Sequence, residues 1–193
     1  MIGELRAAGL LNGESVLESI VQYGDYSGVG LLAKLVMDIV VCGCLVAVAV
    51  IDFKKQIIPD KLNLYIFSAG ACYFGLVVLG YILADVDMSY EGDFWMAVIG
   101  RLAGILLLPG IMLLVNFLVK GAFGGGDIKL ALALAMAYGF ASGGYGILLG
   151  ILISGICGII LLITKRKKLG DSFALGPFLA VGMVYEVARF WFM

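Results

Sequence analysis

The chain has 193 residues, of which 63% are hydrophobic and only 14% charged, and its net charge is −1. The apolar share of an ordinary soluble domain is about 45–50%, so this composition excludes one and predicts a protein that lies in a bilayer. Nucleic-acid-binding proteins carry a basic patch or stripe. The near-zero charge gives no support for such a partner, and we expect none.

The first element is an N-terminal segment, residues 1–30, that is less hydrophobic than the rest. Four apolar residues recur in it with helical spacing among charged ones: Leu10, Leu17, Ile20 and Val21. The pattern predicts an amphipathic helix on the outer membrane surface. No uninterrupted apolar core follows a basic start, so a cleaved signal peptide is not expected.

Residues 31–193 form one predicted membrane domain. About 20 apolar residues cross a hydrocarbon core of about 30 Å, and six stretches bounded by polar or glycine-rich segments are candidates, the fourth being short. We therefore predict an all-α polytopic protein with six transmembrane helices. The stretches are Leu31–Ile51, Leu62–Ala84, Phe94–Val119, Ile128–Phe140, Gly144–Thr164 and Phe173–Phe192.

The charges of the short loops predict the orientation. Cytoplasmic loops carry an excess of Lys and Arg, and nine of the thirteen basic residues lie in or directly beside the loops after the first, third and fifth stretches. The loop at 85–93 is acidic and the connection around Ser142 uncharged. Both termini are therefore predicted outside and three loops in the cytoplasm, in a multi-pass protein of the cell inner (plasma) membrane.

Two aspartates lie at the cytoplasmic ends of predicted spans. Asp52 ends the first and Asp127 begins the fourth, so the topology brings them to one membrane depth. Ionisable groups in a membrane usually mark function. Two neighbouring carboxylates share a proton, with apparent pKa values that belong to the pair.

Such a pair suits hydrolysis of an amide. The ionised carboxylate takes a proton from a water molecule, the protonated one polarises the scissile carbonyl, and the roles then reverse to protonate the leaving amine. The chain has no histidine, which excludes Ser-His and Cys-His mechanisms. Because the Cys-x-Cys pair in the first span lacks the spacing of a zinc site, we expect no metal, no other cofactor and no disulfide.

Three glycines precede the second aspartate: Gly124, Gly125 and Gly126. Glycine permits positive φ and close approach of another chain, which a protease needs where an extended peptide lies beside its catalytic loop. The alternative is that Asp127 only caps a helix after a glycine turn.

The two motifs together, Ile51-Asp52-x6-Pro59-Asp60 and Gly124-Gly125-Gly126-Asp127-Ile128-Lys129-Leu130, resemble the aspartyl peptidases of the type IV prepilin peptidase family, including the archaeal preflagellin enzymes. The run 173–180 is similar to the family's last-span motif. The resemblance implies an aspartic endopeptidase that cleaves basic leader peptides from prepilin or pseudopilin precursors at the cytoplasmic membrane face, independently of metal.

The resemblance maps the family's catalytic pair onto Asp52 and Asp127. Pro59 and Asp60 match the remainder of the first motif, and we interpret Asp60 as a helix cap. Lys129 matches the motif lysine, for which contact with the substrate, the dyad or lipid phosphate stays open. The paired Cys-x-x-Cys region of longer members is not present, so we expect a short form without methyltransferase activity.

Other polar and small residues in the spans have structural interpretations. We predict internal ion pairs for Lys34 with Asp38 and for Glu186 with Arg189, the alternative being a proton or substrate path. Gly146, Gly150, Ser154 and Gly158 predict close helix packing, and a homodimer interface would show the same pattern.

Two other functions remain open. A proton-coupled membrane transporter also has broken helices and functional carboxylates, and a noncatalytic pilus or secretion assembly platform needs neither aspartate.

The expected partners of a peptidase are a precursor with a hydrophobic N-terminal helix and membrane lipid. Such a precursor would present its scissile bond at the depth of the dyad.

Overall fold

The computed structural model describes residues 28–83, 91–119, 121–165 and 174–192, and all regular secondary structure in these ranges is helical. The predicted N-terminal amphipathic helix, most of the acidic loop and most of the basic cluster before the last span lie outside the described residues. The helices are α1 (Gly28–Lys55), α2 (Asp60–Leu83), α3 (Glu91–Leu118), α4 (Gly125–Ile163) and α5 (Gly176–Phe192).

Among the residues that the structure describes, four helices are long and apolar enough to cross a membrane. The membrane-spanning parts are Gly30–Lys55, Asp60–Gly80, Trp95–Leu118 and Gly125–Ile163. Large apolar side chains on their outer faces are exposed, such as Phe117 at 82%, as expected where lipid is the solvent. The prediction of an all-helical membrane protein is thus confirmed.

The long helix α4 is bent sharply at Gly139. A straight helix of its 39 residues would extend about 58 Å, nearly twice the thickness of a hydrocarbon core. Gly139 has φ 74° and ψ −172°, a conformation that only glycine adopts readily. A Cβ placed on Gly143 would lie 3.4 Å from the carbonyl oxygen of Leu134, although nine residues of straight helix extend about 13.5 Å.

The chain therefore doubles back at this turn, and α4 has a first arm (125–138) and a second arm (140–163). The sequence predicted two spans here, joined around Ser142. The structure places the turn three residues earlier, because Gly139 supplies the positive φ. Gly104 of α3 packs against the turn, where an added Cβ would lie 2.8 Å from the backbone nitrogen of Phe140. The count of six spans remains a prediction.

Glycines bring the second arm of α4 close to α5. A Cβ on Gly150 would lie 2.7 Å from the carbonyl oxygen of Phe178, and one on Gly146 would collide with Met183. Small residues let two helix backbones approach in this way. The predicted packing role is confirmed for these two glycines, whereas a Cβ on Gly158 would meet nothing within 4 Å.

The buried centre contains side chains from all five described helices, with Met112 as the buried residue of α3. The largest fully buried ones are Val41, Leu45, Val48, Ile66, Leu130, Leu134, Leu179 and Met183. This packing fixes the end of α1, the start of α4 and the start of α5 relative to one another.

A polar network occupies the other half of the bundle. Asp38 accepts hydrogen bonds from Tyr138 Oη at 3.0 Å and Trp191 Nε1 at 2.8 Å, and it forms the predicted ion pair with Lys34 at 3.2 Å. The predicted pair of Arg189 with Glu186 is also present at 2.6 Å. Fourteen residues of helix, about 21 Å, separate Asp38 from Asp52.

Candidate active site

Asp52 lies in the last turn of α1 and is buried, with 4% of its surface exposed. Its Oδ2 accepts a hydrogen bond of 2.8 Å from the backbone N–H of Gly176, the first residue of α5. The first N–H groups of a helix have no partner within the helix, and its N-terminus favours negative charge. The start of α5 thus provides a buried donor for this carboxylate.

Gly176 leaves no room for a side chain. An added Cβ would lie 2.8 Å from Oδ2 of Asp52 and 3.1 Å from its Cβ. The sequence identified the run 173–180 only as part of a motif and did not predict this contact. The Gly-Pro pair at 176–177 could have indicated that a helix starts there, since proline favours the first turn of a helix.

Asp127 is the third residue of α4, whose N-terminal capping residue is Gly124. Its Oδ2 accepts a hydrogen bond of 3.1 Å from the backbone N–H of Gly124. Asp127 therefore does stabilise the helix start, as the alternative interpretation proposed, but from inside the first turn rather than from the capping position. Its side chain is half-buried.

The three glycines before Asp127 have negative or extended backbone conformations, because the positive-φ glycines among the described residues are Gly121 and Gly139. The triplet therefore does not use the positive φ that glycine permits. Close approach of another segment accounts for the glycine at position 126, because a Cβ on Gly126 would lie 3.0 Å from the Cβ of Ile58. Gly125, in contrast, has nothing within 4 Å of an added Cβ.

The rest of the first motif lies next to the glycine loop. The carbonyl of Pro59 accepts the N–H of Asn63 at 3.5 Å, so Pro59 occupies the capping position of α2 that we had predicted for Asp60. Both carboxylate oxygens of Asp60 instead accept hydrogen bonds from Lys129 Nζ, at 2.8 and 2.9 Å. This ion pair and the contact of Ile58 with Gly126 join the two motifs.

The two aspartates are close enough to interact electrostatically. Each is held by one backbone N–H through Oδ2, and no other hydrogen bond to either carboxylate is formed within the described part of the chain. One oxygen of each therefore remains for a water molecule or a substrate carbonyl. Within the same ranges, no three Cys, Asp or Glu residues are grouped as a metal site would need.

The geometry and the packing together describe a membrane protein with a carboxylate pair at one end of a helical bundle. A model of the type IV leader peptidase family matches residues 39–163, which include both aspartates. The chain belongs to the type IV leader peptidase family, which confirms the resemblance of its motifs.

Individual relatives agree with this assignment. The prepilin leader peptidase/N-methyltransferase of Aeromonas salmonicida strain A449 is 32% identical over 155 residues, covering 80% of this chain and 48% of that protein. A protein with the same description from Burkholderia pseudomallei strain K96243 is 31% identical over 143 residues, covering 73% of this chain and 42% of that protein. One from Bacillus subtilis strain 168 is 23% identical over 155 residues, covering 80% of this chain and 56% of that protein.

The chain spans about half the length of the curated relatives it matches. No solved structure matches it.

Proposed function

We propose that this protein is a membrane-embedded aspartyl endopeptidase that removes the basic leader from prepilin or pseudopilin precursors. The observation that carries the proposal is the arrangement of Asp52 and Asp127. Within the described part of the chain, each carboxylate accepts one hydrogen bond, from a backbone amide through Oδ2, and the two interact electrostatically. The relatives, which are described as prepilin leader peptidases, support the same substrate class.

The proposed reaction needs only water and the two carboxyl groups. The ionised carboxylate removes a proton as the water oxygen bonds to the scissile carbonyl carbon, and the protonated carboxyl donates a hydrogen bond to the carbonyl oxygen. When the C–N bond breaks, the leaving nitrogen receives a proton from the dyad. The absence of histidine from the chain is consistent with direct attack by water.

The proposed site of cleavage is the cytoplasmic membrane face. The turn at Gly139 supports the six-span topology, because it returns the second arm of α4 toward the end at which the first arm begins. Lys54 and Lys55 end α1 beside Asp52, and basic residues favour the cytoplasmic side. The substrate's basic leader would then lie at the lipid headgroups while its hydrophobic helix remains in the membrane.

Reconstitution tests the proposal against the other two functions. The purified chain, in detergent and in liposomes, is incubated with a precursor that has a basic leader and a hydrophobic helix, and both products are identified by mass spectrometry. We expect one cut at the junction, at a rate that neither a chelator nor a protonophore changes. Gradient-dependent proton flux without cleavage would favour a transporter, and neither activity would favour an assembly platform.

A further inference from the structure

A cavity opens where three helix ends meet, and Phe53, the residue after Asp52, is part of its lining. Its volume is about 570 Å³, within the range of about 300–1,000 Å³ of small-molecule pockets. It lies between the end of α1, the end of the second arm of α4 and the start of α5. The lining residues are Phe53, Gln56, Cys157, Ile160, Leu161, Ala174 and Phe178.

Two of the segments that form this cavity also hold the Asp52 carboxylate. Phe53 follows Asp52 directly in α1. Ala174 and Phe178 lie two residues before and two residues after Gly176, whose N–H donates to Asp52. A peptide with its scissile carbonyl at this carboxylate would therefore place neighbouring residues at the mouth of the cavity.

The lining chemistry favours one end of the proposed substrate. Among the lining residues that the structure describes, Gln56 is the one amide, the others are apolar or cysteine, and none is charged. A basic leader would lose its hydration there without gaining a partner, which is costly. Apolar side chains would gain from leaving water or lipid headgroups.

We propose that this apolar cavity binds the first apolar side chains on the carboxyl side of the scissile bond, and so selects which precursors are cut. The inference rests on the proposed function. It adds a location and a size limit for the hydrophobic part of the substrate, and it assigns Cys157 of α4 and Phe178 of α5 to the walls of its binding site.

A change of preference tests this assignment. A series of leader-bearing peptides is prepared that differ only in having Ala, Leu, Phe or Trp immediately after the scissile bond, and kcat/KM is measured for each. Cys157→Trp fills the cavity, and we expect the ratio of kcat/KM for the Phe peptide to that for the Ala peptide to fall about tenfold or more. Phe178→Ala enlarges the cavity, and the ratio of the Trp to the Ala peptide should rise.

Cys72→Trp is the matched control, because Cys72 is exposed on α2 and does not line the cavity. It should leave all ratios unchanged. Equal loss for all peptides in both cavity variants, as expected if the cavity holds a lipid chain, would overturn the inference, as would unchanged ratios. If the wild-type protein cut none of the peptides, the proposed function itself would fail.

Discussion

The backbone N–H of Gly176 donates a 2.8 Å hydrogen bond to Oδ2 of Asp52, across 124 residues of sequence. This bond joins the last turn of α1 to the first turn of α5. It makes the start of α5 part of the candidate active site, although the second motif of that site lies on α4.

Gly176→Ala should therefore displace the Asp52 carboxylate. The added Cβ would lie 2.8 Å from Oδ2, a separation that requires one of the two groups to move. We expect kcat/KM for precursor cleavage to fall by about 10²-fold or more, since small misplacements of catalytic groups have effects of that size.

Gly43→Ala on the same helix as Asp52 is the control for that substitution, because its added Cβ meets nothing within 4 Å. It should be folded and active. If Gly176→Ala cleaved the precursor as fast as Gly43→Ala, the contact would have no role in positioning Asp52.

The second prediction compares two neighbouring glycines of the triplet, Gly125 and Gly126. Gly126→Ala should lower cleavage, because its Cβ would press on Ile58 at 3.0 Å, whereas Gly125→Ala has open space. Both variants gain the same methyl group in the same first turn of α4. Cleavage assays with thermal unfolding in detergent would compare them, and equal activities would contradict a requirement for close approach at residue 126.

The ion pair of Asp60 with Lys129 is exposed, with 71% and 57% of the two side chains accessible. Exposed pairs contribute about 0.2–1 kcal/mol and are screened by salt. A double-mutant cycle with Asp60→Asn and Lys129→Gln should therefore give a coupling energy of unfolding below about 1 kcal/mol that shrinks in high salt. A coupling of several kcal/mol would mean that this contact is a main support of the site.

Asp38 gives a prediction in which the stability of the protein changes but the cleavage reaction does not. Asp38→Ala would leave Lys34 buried without its carboxylate and remove the acceptor of Tyr138 and Trp191. Breaking a buried ion pair costs about 3–5 kcal/mol, so thermal unfolding should occur at a clearly lower temperature.

The molecules of Asp38→Ala that remain folded should keep their cleavage rate, because the network lies about 21 Å along α1 from Asp52. Ser68→Ala, which loses only an exposed bond to a backbone carbonyl, is the control for stability. A normal unfolding temperature with abolished cleavage would instead place Asp38 on a path used by the reaction.

The helices could be predicted from the sequence because lipid requires long apolar segments, and the polar run from Asp52 to Asp60 marks the end of α1 and the start of α2. The turn in α4 was predicted three residues too late, because Ser142 and its neighbouring glycines resemble a loop. In the structure, a single positive φ at Gly139 is sufficient to make the turn. The motifs identified both aspartates as candidates for the site. The contacts of Gly176 with Asp52 and of Lys129 with Asp60 depend on how distant helices pack, which neither periodicity nor loop charge encodes.

The most direct test of the carboxylate pair is the cleavage rate of Asp52→Asn, Asp127→Asn and the double variant, each checked for folding by thermal unfolding in detergent. Groups that act as one unit have non-additive effects. We predict that each single variant loses about 10⁴-fold or more in kcat/KM and that the double variant is little worse than either single one. A folded single variant that cleaves the precursor within tenfold of the wild-type rate would contradict the proposed mechanism.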